Sequence, residues 1–183
     1  ERSRLSPPQG DKLGRMPPAQ GRTDTASLVI AAPAEAIYRA FADANVLMAW
    51  LPPGNMRGRA LEYDFRQGGR YRIELTYADS APEGGGKTTA QTDVSSGRFL
   101  ALEINRRIVQ TVEFDAADVT LAGEMRMTWS LEPVPAGTRV TITAENVPSG
   151  IRQEDHAEGL RSSLENLARF SASAASKAET SPR

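Results

Sequence analysis

The stretch DFRQGGRYRIEL, residues 64–75, sets two adjacent glycines, Gly68 and Gly69, between runs in which apolar and polar residues alternate. On one side Leu61, Tyr63 and Phe65 alternate with Glu62, Asp64 and Arg66; on the other Tyr71, Ile73, Leu75 and Tyr77 alternate with Arg72, Glu74 and Thr76. A period of two is that of a half-buried strand. A phosphate-binding loop would need a following helix whose first amides face the anion, and the residues after Gly69 are strand-patterned instead. The spacing predicts a hairpin with the two glycines as its turn, because glycine takes positive φ at little cost. Arg66, Arg70 and Arg72 fall on the polar parity, where a solvated, charge-paired sheet face is expected.

Working outward, residues 27–32 (SLVIAA) read as a short strand, and Pro33 suits the first turn of a helix whose Ile37 and Phe41 share a face. Asp43 is a good N-cap for a second short helix carrying Val46, Leu47 and Trp50, which Pro52, Pro53 and Gly54 stop. Downstream, residues 78–92 contain APEGGGK and predict a long loop, followed by strands over 97–104 and 108–114 with a turn between. Met125, Met127, Trp129 and Leu131 then alternate with polar residues, as do Val140, Ile142 and Ala144 beyond a Pro135-Ala136-Gly137 turn. These make an antiparallel pair with one dry face. The last element, residues 151 to 172, is helical, with Ala157, Leu160, Leu164 and Leu167 as its apolar stripe. The fold class is α+β: a curved antiparallel sheet wrapped around one long C-terminal helix, with two short helices after the first strand.

The two ends carry no such pattern. Residues 1–24 are rich in proline, glycine and basic side chains and are expected as a disordered tail, with Met16 an expected native start; residues 25–172 form the domain, and residues 173–183 a second disordered tail. The 22 basic and 23 acidic side chains leave a formal net charge of -1, which argues against nucleic acid or an anionic membrane as the main partner. There is no cysteine and one histidine, so thiolate chemistry is excluded and most metal sites cannot be assembled. No apolar run approaches the ~20 residues of a membrane span, and a cytoplasmic location is the default expectation.

Four stretches resemble the helix-grip (START-like, birch-pollen-allergen-like) superfamily, also called SRPBCC: IAAPAEAIYRAFADANVLMAWLPP (30–53), YDFRQGGRYRIEL (63–75), GTRVTIT (137–143) and HAEGLRSSLENLARF (156–170). The nearest branch is similar to the C-terminal domain of the heat-shock-protein ATPase activator, and the likeness spans residues 25–170. Members commonly carry Trp after the glycine of the last helix, whereas Gly159 here precedes Leu160, and the loop near residues 84–86 looks extended. The resemblance implies a cavity between sheet and helix that admits an apolar small molecule, although relatives range from lipid carriers to cyclases.

Inward parity offers Tyr63, Tyr71, Tyr77, Met125, Met127 and Trp129 as lining, with Trp50 from the short helices and Leu160 and Leu164 from the long one. For any one of them, plain core is the plainer expectation. Gln110 shares the apolar parity of Ile108, Val112 and Phe114, so its amide needs a partner: a ligand, a water, another side chain or the strand edge. His156 lies near Glu154, Asp155 and Glu158 at the start of the long helix; it belongs either at the cavity rim, as an acid or base, or on a solvated face, and the solvated face is the plainer expectation. No catalytic set, metal site or cofactor motif is assigned. The leading expectation is a carrier or sensor of a hydrophobic or aromatic small molecule. A polyketide-cyclase-like or hydrolase-like enzyme is the first alternative, and a co-chaperone-like interaction module the second, with a chaperone partner not favoured.

Overall fold

The computed structural model describes residues 21–53, 55–79 and 86–179. Its order is β1 (Arg22–Ile30), α1 (Ala34–Ala42), α2 (Ala44–Trp50), β2 (Met56–Tyr63), β3 (Arg70–Tyr77), β4 (Thr92–Glu103), β5 (Arg107–Phe114), a 3-10 turn (Val119–Leu121), β6 (Met125–Val134), β7 (Gly137–Val147) and α3 (Gln153–Glu179). The strands form one seven-stranded antiparallel sheet in the order β1-β7-β6-β5-β4-β3-β2. The three helices lie on its concave face, where Ile37, Phe41, Trp50, Trp129, Ile142, Leu160, Leu164 and Leu167 meet in the main core. No helix among the described residues is long and apolar enough to cross a membrane.

Local chemistry fixes the joints. The Asp43 carboxylate accepts from the amides of Asn45 at 2.8 Å and Val46 at 3.0 Å, capping α2 as its position predicts. Between β6 and β7, Val134 pairs with Gly137, whose φ of 132° only glycine takes readily.

The hairpin around Gly68 and Gly69 exists, but its turn is wider than two residues. Tyr63 pairs with Tyr71, and the Asp64 amide closes the loop on the Arg70 carbonyl at 2.9 Å. Within that loop Gly68 takes the positive φ, 79°, while Gly69 answers a different need: a Cβ there would lie 2.0 Å from the Asp64 carbonyl oxygen. Both glycines then bond β4, Gly68 N–H to the Phe99 carbonyl at 2.7 Å and Phe99 N–H to the Gly69 carbonyl at 2.9 Å. A register shift between Ala60 and Glu62 also breaks the expected alternation. Leu61 occupies this bulge and is 43% exposed instead of facing inward with Tyr63.

Other boundaries move for reasons visible in the packing. β1 opens at Arg22, inside the segment expected as a tail, because Asp24 is buried and partnered. β4 begins at Thr92, earlier than 97, since Thr92, Asp93 and Val94 pair with β3. The 3-10 turn, capped by Asp118, was not anticipated from sequence. α3 continues through Glu179, past the expected end at 172. In its first turns Ala157 is exposed, and the buried stripe runs through Leu160, Leu164 and Leu167 to Ser171. Residues 1–20, 80–85 and 180–183, on which most of the expected first tail, the end of the expected second tail and part of the expected long loop fall, lie outside the described residues.

The polar parity of β2 and β3 forms the charged outer face that was expected. Arg72 meets Asp115 at 2.8 Å and Arg59 meets Glu74 at 3.0 Å, both with substantial exposure. Such pairs stabilise little, about 0–1 kcal/mol each.

Candidate functional site

The concave face has two ends of different character. At one end aromatic rings fill the space. Trp129 packs edge-on against Phe41 at 5.0 Å and Trp50 at 5.9 Å, and Phe99 lies within 5.6 Å of Tyr63, Phe65 and Tyr71. Three of them spend their polar atoms internally: Trp50 Nε1 donates to the Ala40 carbonyl at 3.0 Å, Tyr63 Oη to the Phe41 carbonyl at 2.6 Å and Tyr71 Oη to the Thr111 carbonyl at 2.6 Å. Burial pushes both tyrosine hydroxyls above their ordinary range. Trp50, Tyr71, Trp129, Leu160 and Leu164 are buried members of the main core, and Tyr63 packs against it.

At the other end a smaller cluster, Val112, Met125, Ala144, Val147 and Ile151, is separate from the first, and Met127 packs against both. Between them lies a strip that faces inward by register yet stays half-buried. It comprises Leu75 and Tyr77 of β3, Gln110 and Phe114 of β5 and Met127 of β6. Gln110 finds its partner in the protein, its Nε2 donating to Tyr71 Oη over a long 3.4 Å. The Lys87 ammonium, paired with Asp93 at 2.8 Å, sits 5.1 Å over the Phe114 ring. Burial, with the Asp93 charge, raises the Tyr77 hydroxyl. The strip is therefore an apolar floor of Leu75, Phe114 and Met127 edged by an amide, a phenol and an ion pair.

His156 departs from the plainer expectation. Its side chain is only 12% exposed and turned inward, with Nδ1 2.7 Å from Asp24 Oδ2. The carboxylate that orients it comes from β1, not from Glu154, Asp155 or Glu158. Arg22 completes the group, donating from Nε to both Asp24 oxygens at 3.0 Å and from Nη2 to the Ile151 carbonyl at 2.8 Å. Burial opposes the Asp24 charge, but the hydrogen bonds and charges of Arg22 and His156 outweigh it and hold the carboxyl below its ordinary value. The cluster ties the start of β1 to the start of α3.

Sequence reasoning missed Asp24, Asp93 and Lys87. For Asp24 a signal existed, since it shares the parity of Ala26, Leu28 and Ile30, and a carboxylate on an apolar parity needs a buried partner. Among the described residues no three acidic or histidine side chains converge as metal ligands would, and no buried side-chain nitrogen or oxygen lacks a partner.

Comparisons with known proteins agree with this geometry. The sequence profile of the family described as Activator of Hsp90 ATPase homolog 1-like protein matches residues 31–172. A crystal structure of a protein from Chromobacterium violaceum shares 34% identity over 81% of this chain and 96% of its own, with a TM-score of 0.71. A solution structure of a protein from Aeromonas hydrophila, itself described as like the same activator, has 17% identity over 84% of this chain and 94% of its own, with a TM-score of 0.63. A crystal structure of a protein from Mycobacterium smegmatis, at 18% identity over 81% of this chain and 89% of its own, also has a TM-score of 0.63. At those two lower identities the likeness is one of fold. No curated protein matches the chain.

Proposed function

We propose, from the premise that this chain belongs to the Activator of Hsp90 ATPase homolog 1-like family, that it binds a hydrophobic or aromatic small molecule on the open part of its concave face. One observation carries the reading: Leu75, Tyr77, Gln110, Phe114 and Met127 face the helix side of the sheet by register and yet remain half-buried. Apolar side chains facing inward are normally covered by their own fold, and water left on them is displaced favourably by an apolar ligand. Met127 is adaptable in shape, and Gln110, loosely held by Tyr71, has donor and acceptor capacity to spare for the polar end of such a ligand. Against a docking module stands the scatter of the exposed large apolar residues among those described: Val29 lies on β1, Leu61 on β2, Ile104 in the β4–β5 turn and Val119 in the 3-10 turn.

An uncharged apolar fluorescent probe should bind saturably to the whole chain. Met127→Glu should weaken that binding at least tenfold with circular dichroism unchanged; equal affinity in the variant would overturn the reading. Native mass spectrometry of protein from its own host would then name the ligand class.

The His156–Asp24 pair supports a second, enzymatic reading. With Nδ1 held by a carboxylate, Nε2 is the atom left to take or give a proton. On that reading a screen of esters, lactones and polyketide-like substrates finds turnover that His156→Ala lowers by ~10²–10⁴ while probe binding persists. A screen without turnover removes this second reading and leaves the carrier.

A further inference from the structure

The concave strip ends at a charge pair that belongs half to the sheet and half to a loop. Asp93 is a buried residue of β4 that lies opposite Leu75 of β3, on the inward parity. A carboxylate is costly to bury there unless it is paired. Its partner comes from the connection between β3 and β4: the Lys87 backbone N–H donates to Oδ1, and the Lys87 ammonium to Oδ2 at 2.8 Å. The same ammonium stands 5.1 Å from the centroid of the Phe114 ring. Tyr77 is near enough that the Asp93 charge adds to burial in raising its hydroxyl. A phenol, a ring face and a buried carboxylate together make surroundings suited to an organic cation.

The two halves of the pair are not equally fixed. Asp93 is set by the ladder between β3 and β4, and its side chain is 9% exposed. The Lys87 side chain is 34% exposed and reaches in from a turn in which the Thr88 and Thr89 amides bond the Thr92 carbonyl at 3.0 and 3.1 Å. Swinging the ammonium out breaks no strand pairing, whereas moving the carboxylate would pull β4 from β3. The permanent feature is thus a negative charge beside aromatic rings, and the cation over it is replaceable. A ligand anion drawn to Lys87 would meet the like charge of Asp93 directly beside it.

We propose that the Lys87 ammonium stands in for a ligand's own ammonium group, and that the strip takes a protonated aryl-alkyl amine. Its apolar body lies on Leu75, Phe114 and Met127, and its charge sits between Asp93 and the Phe114 ring. This rests on the strip being a ligand site and names the class of molecule that fills it. Lys87 then competes from within the chain, where its tether gives it a high effective concentration. The resting site is self-occupied, and an amine gains full access only when the ammonium leaves.

The test titrates 2-naphthylmethylamine, protonated at neutral pH, and the isosteric 2-naphthylmethanol into the full chain and into Lys87→Met, with the Met127 methyl signal locating both. Loss of the ammonium should tighten the amine by about tenfold and leave the alcohol within about threefold. Adding Asp93→Asn to Lys87→Met should return the amine to the affinity of the alcohol. Lys87→Gln, which can still hydrogen-bond Asp93, should show the same preference for the amine as Lys87→Met. The amine should also raise the Tm of Lys87→Met, whose buried carboxylate lacks its counter-charge, more than that of wild type. An equal gain for both ligands would reduce Lys87 to a cover, and 2-naphthoate binding wild type more tightly than the amine would reverse the sign; either result overturns the proposal. If the alcohol binds every variant while the amine gains nothing, this proposal alone falls. If neither ligand binds any variant, the reading of the strip falls with it.

Discussion

The two ends of the concave face are built from the same strands but not for the same end. Around Trp129 the rings of Phe41 and Trp50 close the space, and Trp50, Tyr63 and Tyr71 spend their polar atoms on backbone carbonyls. Around Met127 lie Leu75, Tyr77, Gln110 and Phe114, and the inward face stays half-open. The sheet supplies the same inward parity to both. What differs is cover: Phe41 of α1 and Trp50 of α2 pack on Trp129, whereas the inward residues Leu75, Tyr77, Gln110, Phe114 and Met127 stay half-buried.

The sharpest way to break this contrast is truncation at each end. Trp129→Ala should cost about 3–5 kcal/mol in urea unfolding, because it opens a cavity among rings that cannot collapse. Met127→Ala, at a site already open to water, should cost about 1 kcal/mol. Similar losses at the two positions would mean that both ends are equally packed.

The Arg22–Asp24–His156 cluster sharpens the comparison, because at the open end a polar group does the tying that rings do at the other. Asp24→Ala strands two partly buried partners and should cost about 1–3 kcal/mol at neutral pH. His156→Ala should cost less, since Arg22 still holds the carboxylate. The sign with pH is set by the Asp24 carboxyl, which lies below its ordinary value in the folded protein. Its contribution is fully present above the unfolded value of about 3.9 and is lost as pH falls through the folded one. The gap between wild type and Asp24→Ala should therefore shrink only below about pH 4; a gap that stays constant down to pH 2 would show that the carboxylate charge is not what stabilises the tie.

At the rim of the closed end, Gly69→Val should cost about 1–3 kcal/mol, against within about 0.5 for Arg70→Ala, whose side chain is exposed. Equal urea midpoints would mean that the Asp64 carbonyl has room to move. The smallest expected effect is that of Gln110→Leu, below about 1 kcal/mol, because its bond to Tyr71 is long and an apolar side chain suits the parity.

Much of the fold could be read in the sequence, since period-two runs, the Asp43 cap and the leucines of α3 each state a local preference that the packing keeps. The errors arose where tertiary contacts act on residues with no periodic signature. The bulge at Leu61 reverses a parity, the close approach of the Asp64 carbonyl rather than positive φ requires Gly69, and Asp24 was lost to an expected tail although its parity marked it. The site was less legible. Residues sharing one inward parity split into core and open strip, and only the rings arriving from α1 and α2 decide which is which.

The claim that the Met127 end is the accessible one is tested most directly by methyl NMR of the chain labelled at methionine, titrated with 2-naphthol, which is uncharged at neutral pH. Met127 should shift saturably together with the Gln110 side-chain amide, while the Trp50 indole N–H, bonded to the Ala40 carbonyl, stays in place. Shifts centred on Trp50 and Trp129 with Met127 unmoved would place the opening at the aromatic end and contradict the account.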